Sequence, residues 1–443
     1  MRNNAPMKLG ATVFLLATLT FAQNPASTSR TVIVVSLDGF PAYALANAKT
    51  PVPVLRELAA GGTQARRMTP INPTVTWPNH TAIITGEDAA HNGLLVNGEI
   101  VPTNSWPPMK IDPWVAKDQM VRVPTLYDAA HEAGLKTAQV DWVAIYQAPS
   151  IDFAFPEVPS AGGSIEREMV GANIVTADVI AHFGDQNIFR RDQIWTDAAI
   201  HILRAHHPNL LLLHLLSLDT THHTYGPGSL AADGAMAFLD SCVGRLVSTV
   251  KNLGIENKTT IFVVSDHGFK AVKTQIDANA VIAGVGLEKS AWAMPEGGYA
   301  LVYIRNHDRS IAEQLRARFA ETPGIQSALA PESYASLRLP TPAQNDQMSD
   351  LYLAAAPGYA FANSRGGAVS TTVPSAQGAH GYPNSDPELD AIFIASGAGV
   401  RRGHTIEQIP NLDVAPTAAA LLGIKLPAAQ GRAITEALTS PPR

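Results

Sequence analysis

Short, almost uninterrupted apolar runs recur along the chain. Residues 31–37 read TVIVVSL and are followed by Asp38-Gly39. Residues 209–218 read NLLLLHLLSL, with Asp219 next. Residues 259–265 read TTIFVVS, with Asp266-His267-Gly268 next, and residues 390–395 read DAIFIA, with Ser396-Gly397 next. Runs of this length, rich in Val, Ile and Leu, are the pattern of parallel strands buried on both faces. Helical patterns lie between them. Residues 124–133 end before Gly134, and an amphipathic stretch at 191–206 ends before Pro208. Residues 230–252 end before Gly254, and 413–422 before Gly423. Each of these helices stops at a residue that favours termination. Alternating strands and helices predict a doubly wound α/β sheet, whose ligands bind beyond the carboxyl ends of the strands. Three of the four runs place a carboxylate at that edge.

Residues 271–375 follow another pattern. A strand-like run at 298–304 precedes a helical one at 311–322. A loop rich in Pro, Gln and Asp comes next, then a strand-like run at 351–355. This region reads as an inserted α+β subdomain that caps the site. The organisation expected is catalytic core at 31–270, cap at 271–375 and a second part of the core at 376–443. There is no internal repeat.

The amino terminus stands apart from this pattern. Arg2 and Lys8 precede a continuous apolar or small run from Leu9 to Ala22. That run is shorter than the roughly 20 residues of a membrane span and has the form of a signal peptide, 1–22, followed by a polar tether, 23–30. No cysteine follows it, which disfavours a lipoprotein anchor. The expectation is an exported protein, periplasmic or secreted, with no membrane span once the leader is removed.

Composition narrows the chemistry. The 443 residues are 46% hydrophobic and 16% charged, which is globular and excludes a disordered chain. With 32 basic against 38 acidic residues, the net charge of -6 leaves no basic surplus for nucleic-acid binding. An anionic substrate is still compatible, because a bound metal ion can dominate the local field. The single cysteine, Cys242, excludes an intramolecular disulfide and cysteine-based metal sites, and reads as a small buried hydrophobe.

The acids and histidines expected at the strand ends are Asp38, Asp219, His222 or His223, Asp266, His267 and His380. Carboxylates with neutral imidazoles suit Zn²⁺ or a similar ion, and six ligands suit two ions in one cleft. Any one of these residues alone could simply cap a helix, close a turn or sit in the core. Together they are harder to dismiss, since Asp-His-Gly and Gly-x-His-Gly set ligands beside glycines that permit tight turns. Asp219 and His223 are four apart, so one helical turn would align them. Spacing alone does not choose between His222 and His223.

A nucleophile candidate lies in Pro73-Thr74-Val75-Thr76-Trp77-Pro78-Asn79-His80. A helix is expected from Pro78 to near Gly86, with Thr76 at its amino terminus, where backbone N–H groups favour an anion. The plainer alternative is that Thr76 is an N-cap. A general base such as His80 would accelerate attack by about 10²–10⁴-fold. Metal coordination lowers the pKa of water from about 15.7 to about 7, equivalent to about 12 kcal/mol. A metal is therefore the stronger activator.

This ordered set resembles the type I phosphodiesterase/nucleotide pyrophosphatase family of the alkaline phosphatase superfamily. The resemblance rests on Asp38-Gly39, Thr76-Trp77-Pro78-Asn79-His80, Thr85-Gly86, His91-x-Gly93 and Asn97. It continues through Asp219-x-x-x-His223-x-x-Gly226-Pro227, Ser265-Asp266-His267-Gly268 and Gly378-x-His380-Gly381. It implies an alkaline-phosphatase-like three-layer sandwich with a central, mostly parallel sheet. It also implies two zinc ions flanking a Thr76 nucleophile, one held by Asp219, His223 and His380 and the other by Asp38, Asp266 and His267. The family spacing selects His223 over His222. Asn97 and the Trp77 backbone N–H would stabilise a non-bridging phosphate oxygen, and the Trp77 ring would line the leaving-group pocket. Thr76 would form a covalent phosphothreonine that water then hydrolyses from the opposite side. The expectation is a catalytic domain alone, without counterparts in these residues of the Cys-rich and nuclease-like domains of animal members. Residues 97–166 and the cap would set specificity.

The expected activity is hydrolysis of a small phosphodiester or pyrophosphate, nucleotides included. The alternatives are a phosphomonoesterase or phosphonate hydrolase of the same superfamily and, from a different class, a non-catalytic metal-containing binding protein. The absence of Cys-x-Pro-x-Arg disfavours a sulfatase.

Overall fold

The computed structural model describes Met1 and residues 29–363 and 367–440. The expected signal peptide and all but the last two residues of the tether lie outside the described residues, Met1 aside. Among the described residues no helix is long and apolar enough to cross a membrane.

An eight-stranded sheet organises the chain. Across it run the strands His404–Pro410, Thr63–Thr69, Ala391–Gly397, Thr259–Val264, Thr31–Leu37, Leu210–Leu215, Thr137–Val140 and Phe153–Phe155. Thr31–Leu37 lies at the centre because all seven of its residues are buried. Its odd and even positions feed two separate cores. Ile33, Val35 and Leu37 pack with the helices Pro53–Gly61, Ile188–Ala205 and Leu230–Asn252. Val32 and Val34 pack on the other face with the helices Leu126–Glu132 and Val414–Leu422. That two-faced burial is the physical content of the uninterrupted apolar run, and it yields the three layers expected.

Register places the chemistry. Thr31–Leu37 pairs in parallel with Leu210–Leu215 (Leu37 opposite Leu215) and with Thr259–Val264 (Ser36 opposite Val264). The three strands therefore end together, and the residues after them share one edge. The fourth apolar run departs from expectation. Ala391–Gly397 is antiparallel to both of its neighbours, Thr63–Thr69 and Thr259–Val264. An apolar run reports burial on both faces, not strand direction. The reversal brings the start of this strand, with the segment around His380 that precedes it, to the same edge. The sheet is thus mostly parallel but not wholly so.

Thr63–Thr69 (TQARRMT) and His404–Pro410 join the sheet beyond the expected strands. Both carry polar residues, and their burial alternates along part of their length, so neither produced an apolar run.

Between residues 270 and 379 two further sheets form. One has the order Ala291–Glu296, Tyr299–Ile304, Leu351–Ala355, Ile325–Leu329, and the helix Arg309–Ala320 packs on it. The other joins Lys270–Ile276 to Tyr359–Phe361 and Ser370–Ala379. The four-stranded sheet, with the segment before Leu351–Ala355, lies against the loop at 93–97 that carries Asn97. Tyr299 Oη donates to the Leu95 carbonyl at 2.6 Å, and Asn345 Nδ2 donates to the Gly93 carbonyl at 2.9 Å.

Candidate active site

The nucleophile candidate begins a helix. Thr76–Thr85 is helical and wholly buried, with Val75 as the extended residue before it and Gly86 left-handed (φ 72°) after it. Thr76 is therefore the first helical residue rather than its N-cap, so the capping alternative falls. The helix also starts two residues before Pro78. Thr76 Oγ1 lies 3.5 Å from His267 Nε2. Asn79 fixes the approach to the helix. Its Oδ1 accepts from the Ile71 N–H at 2.8 Å, and its Nδ2 donates to the carbonyls of Pro73 and Val75 at 2.9 Å each.

Two groups of potential ligating side chains adjoin one another, and His267 of one of them is the residue 3.5 Å from Thr76 Oγ1. Asp219 and His223 lie one turn apart on the helix Ser217–Tyr225, with Asp219 Oδ1 3.4 Å from His223 Nε2 and 3.7 Å from His380 Nε2. His267 Nε2 lies 3.1 Å from Asp266 Oδ2 and 3.7 Å from Asp38 Oδ1. Potential ligand atoms of Asp219, His223 and His380 lie within 4.8 Å of one another, and so do those of Asp38, Asp219 and His267. His222 joins neither group, although its ring, like that of His223, packs against Phe269, with centroids 4.8 and 4.9 Å apart.

The donor set fits a dication on two observations. First, Asp38 Oδ1, Asp219 Oδ1 and Asp266 Oδ2 are buried without a hydrogen-bond partner. Buried carboxylate oxygens left this way are costly. Second, each of the three histidines spends Nδ1 on a backbone carbonyl. His223 bonds Gly378, His267 bonds Gly268 and His380 bonds Thr74, each at 3.1 Å. That leaves Nε2 unprotonated and aimed inward, the arrangement of a metal-binding imidazole.

Electrostatics agree for two of the three rings; burial opposes protonation of His223, but Asp219 raises it above its ordinary value. Burial pushes His267 down to about 4 and, with His267 and His223 nearby, holds His380 well below its ordinary value, so both rings are neutral at pH 7. Burial together with the charges of Asp266 and Asp219 raises Asp38 well above the carboxylate range. A cation between these acids would remove that repulsion. His223 is the most open of the six, with 44% of its side chain exposed, so solvent reaches the cluster from its side.

Two expectations change in detail. His80 does not serve as a base for Thr76. Its Nδ1 bonds the Thr76 backbone carbonyl at 2.9 Å, and burial lowers it to about 3. The Trp77 N–H does not stand free, because it donates to Asn97 Oδ1 at 2.9 Å. That bond orients the carboxamide and leaves Asn97 Nδ2 as the donor. The Trp77 ring packs among Leu94, Met120, Val121, Val143 and Ala144 and is 9% exposed.

Sequence reasoning missed His214 and Asp141. His214 Nε2 bonds Asp38 Oδ2 at 2.9 Å, and its Nδ1 lies 3.0 Å from the Asp141 carbonyl and 3.1 Å from its carboxylate. Burial opposes protonation, but Asp141 and Asp38 raise His214 well above its ordinary value. The available signal was a lone histidine inside an otherwise apolar strand.

Comparison with solved structures places the fold. A murine ectonucleotide pyrophosphatase/phosphodiesterase 5, solved as an inactive variant in complex with AMP, superposes with a TM-score of 0.73 at 18% identity. The match covers 93% of this chain and 100% of that one. The human protein of that name gives 0.72, also at 18% identity, with the same coverage. The family follows from sequence. The model for type I phosphodiesterase / nucleotide pyrophosphatase matches residues 32–383, and the chain belongs to that family. Ectonucleotide pyrophosphatase/phosphodiesterase family member 1 of Mus musculus is 24% identical over 88% of this chain and 40% of its own length. An uncharacterised pyrophosphatase/phosphodiesterase of Schizosaccharomyces pombe is also 24% identical, over 87% of this chain and 75% of its own length. Venom phosphodiesterase 2 of Crotalus adamanteus is 23% identical over 91% and 46%. The chain thus spans about two fifths of the length of the first curated relatives it matches.

Proposed function

We propose that this chain is a two-zinc phosphodiesterase/nucleotide pyrophosphatase that cleaves phosphodiester or pyrophosphate bonds of small molecules through a phosphothreonine. The observation that carries the reading is a buried threonine at the first position of a helix, beside two groups of carboxylates and inward-facing imidazoles. The AMP-bound relative, whose inactive form carries a threonine-to-alanine change, supports a nucleotide as substrate.

Asp219, His223 and His380 would hold one ion, and Asp38, Asp266 and His267 the other, with Thr76 between them. Bound there, zinc would supply positive charge that lowers the pKa of a neighbouring hydroxyl and offsets charge on the phosphoryl group. Thr76 gives its hydroxyl proton to solvent, Oγ1 attacks phosphorus in line, the P–O bond to the leaving group breaks, and the departing oxygen takes the electron pair. Asn97 Nδ2, oriented by the Trp77 N–H that Asn97 Oδ1 accepts, would donate to a non-bridging oxygen. Water then attacks phosphorus from the opposite side, breaks the bond to Thr76 Oγ1 and restores the hydroxyl. The Trp77 ring walls the leaving-group side, and the two sheets between residues 270 and 379 cap the cleft. The leader at 1–22 would send the protein out of the cytoplasm.

Nitrophenyl esters test the reading. Hydrolysis of a nitrophenyl nucleotide diester should exceed that of the monoester, stop on chelation and return with zinc, about two ions being needed at the catalytic edge. Thr76→Ala should lower diester turnover by about 10³-fold or more while keeping the fold. Dominant monoester cleavage would move the protein to the phosphatase reading, and unchanged turnover in Thr76→Ala would remove the nucleophile.

A further inference from the structure

A second ligand cluster lies at the opposite edge of the main sheet. Glu168 sits on the helix Ser164–Gly171, His201 in the last turns of the helix Ile188–Ala205, and His206 caps that helix. His201 Nε2 and His206 Nε2 both converge on Glu168 Oε2, at 2.9 and 2.7 Å. The three potential ligand atoms lie within 4.8 Å of one another. His206 leads into the amino-terminal end of Leu210–Leu215, whereas Asp219 follows its carboxyl-terminal end. At about 3.3 Å per residue, that strand sets the two clusters roughly 20 Å apart.

We infer that Glu168, His201 and His206 form a further binding site for a first-row transition-metal dication such as zinc, separate from the catalytic edge. Two imidazoles and one carboxylate are a donor set for zinc, with water completing a tetrahedron. Imidazole ligands argue against magnesium or calcium. The rings are placed in advance. His206 stacks on Phe153 with centroids 4.2 Å apart and planes 25° from parallel. His201, with 14% of its side chain exposed, is held between the helices, while Glu168 is 38% exposed and leaves an entry path. A plain hydrogen-bonded triad would also bring both rings to one oxygen, so the ion itself must be measured. Bound metal would cross-link the two helices, each imidazole coordinating through Nε2 and carrying its proton on Nδ1.

The test uses the full chain, stripped with chelator and dialysed against micromolar free zinc. Zinc per chain is counted in the wild type, in a His201→Ala/His206→Ala double variant and in Glu168→Gln. The wild type should hold one zinc more than the double variant, with diester hydrolysis unchanged. Glu168→Gln keeps the side-chain volume and should also lose the extra ion, so the test survives misfolding of the double variant. Equal zinc in the wild type and a folded variant overturns the site. The comparison is a difference in count, so it stands or falls independently of how many ions the catalytic edge takes.

Discussion

At the residue scale, the most telling side chain is His214. It bridges Asp38, a candidate metal ligand, to Asp141, and both of its ring nitrogens are engaged. A partner behind a ligand fixes its orientation and basicity, and losing such a partner costs about 10–100-fold in metal affinity or activity. His214→Phe should therefore weaken zinc binding by about that factor, read by competition with a chromophoric chelator. His214→Gln, which still donates to Asp38, should lose less. If both variants bind like the wild type, the bridge has no positioning role. The candidate ligands that gather at this edge were readable before any fold was known, because acids that end apolar runs and histidines beside glycines leave a trace in the sequence. His214 left only a break in an apolar run, and its meaning depends on Asp141, a residue 73 positions away.

At the element scale, the turn between Leu210–Leu215 and Ser217–Tyr225 is held from outside. Asp192, buried on the helix Ile188–Ala205, accepts from the Leu216 and Ser217 N–H groups at 2.9 Å each. That turn aims Asp219. Asp192→Ala would strand these donors and should destabilise the chain by about 1–3 kcal/mol, measured by urea unfolding, with Asp192→Asn milder. A second check lies at Gly268. A Cβ there would stand 2.1 Å from the Glu388 carbonyl and 3.0 Å from that of Asp390. Gly268→Ala must push apart the segments that present His267 and begin Ala391–Gly397. It should cost about 1–3 kcal/mol and lower diester hydrolysis as well. Helix positions were legible because their caps and stops are local: the helix Leu230–Asn252 matches its sequence bounds. The direction of Ala391–Gly397 was not legible, since strand pairing is decided by distant partners.

At the scale of the whole molecule, the cleft concentrates uncompensated charge. Asp38, Asp219 and Asp266 meet at one edge with an orphaned oxygen each. A dication bound only by the folded state stabilises it through mass action, by about 2.7 kcal/mol at a hundredfold excess over Kd. Chelation should therefore lower the melting temperature, and zinc should restore it; a melting curve indifferent to both would separate the cluster from any metal. The same edge is assembled from Asp38 near one end of the matched region and His380 near the other, with two extra sheets between them. His380 is steadied by Thr74, 306 positions earlier. During synthesis, the early carboxylates thus wait on the ribosome for a histidine that is translated late. Closure over such a span is slow. On the proposed reading, an ion would accordingly be an acquisition of the finished chain, and a fragment broken off before His380 would be born without a complete grip on it.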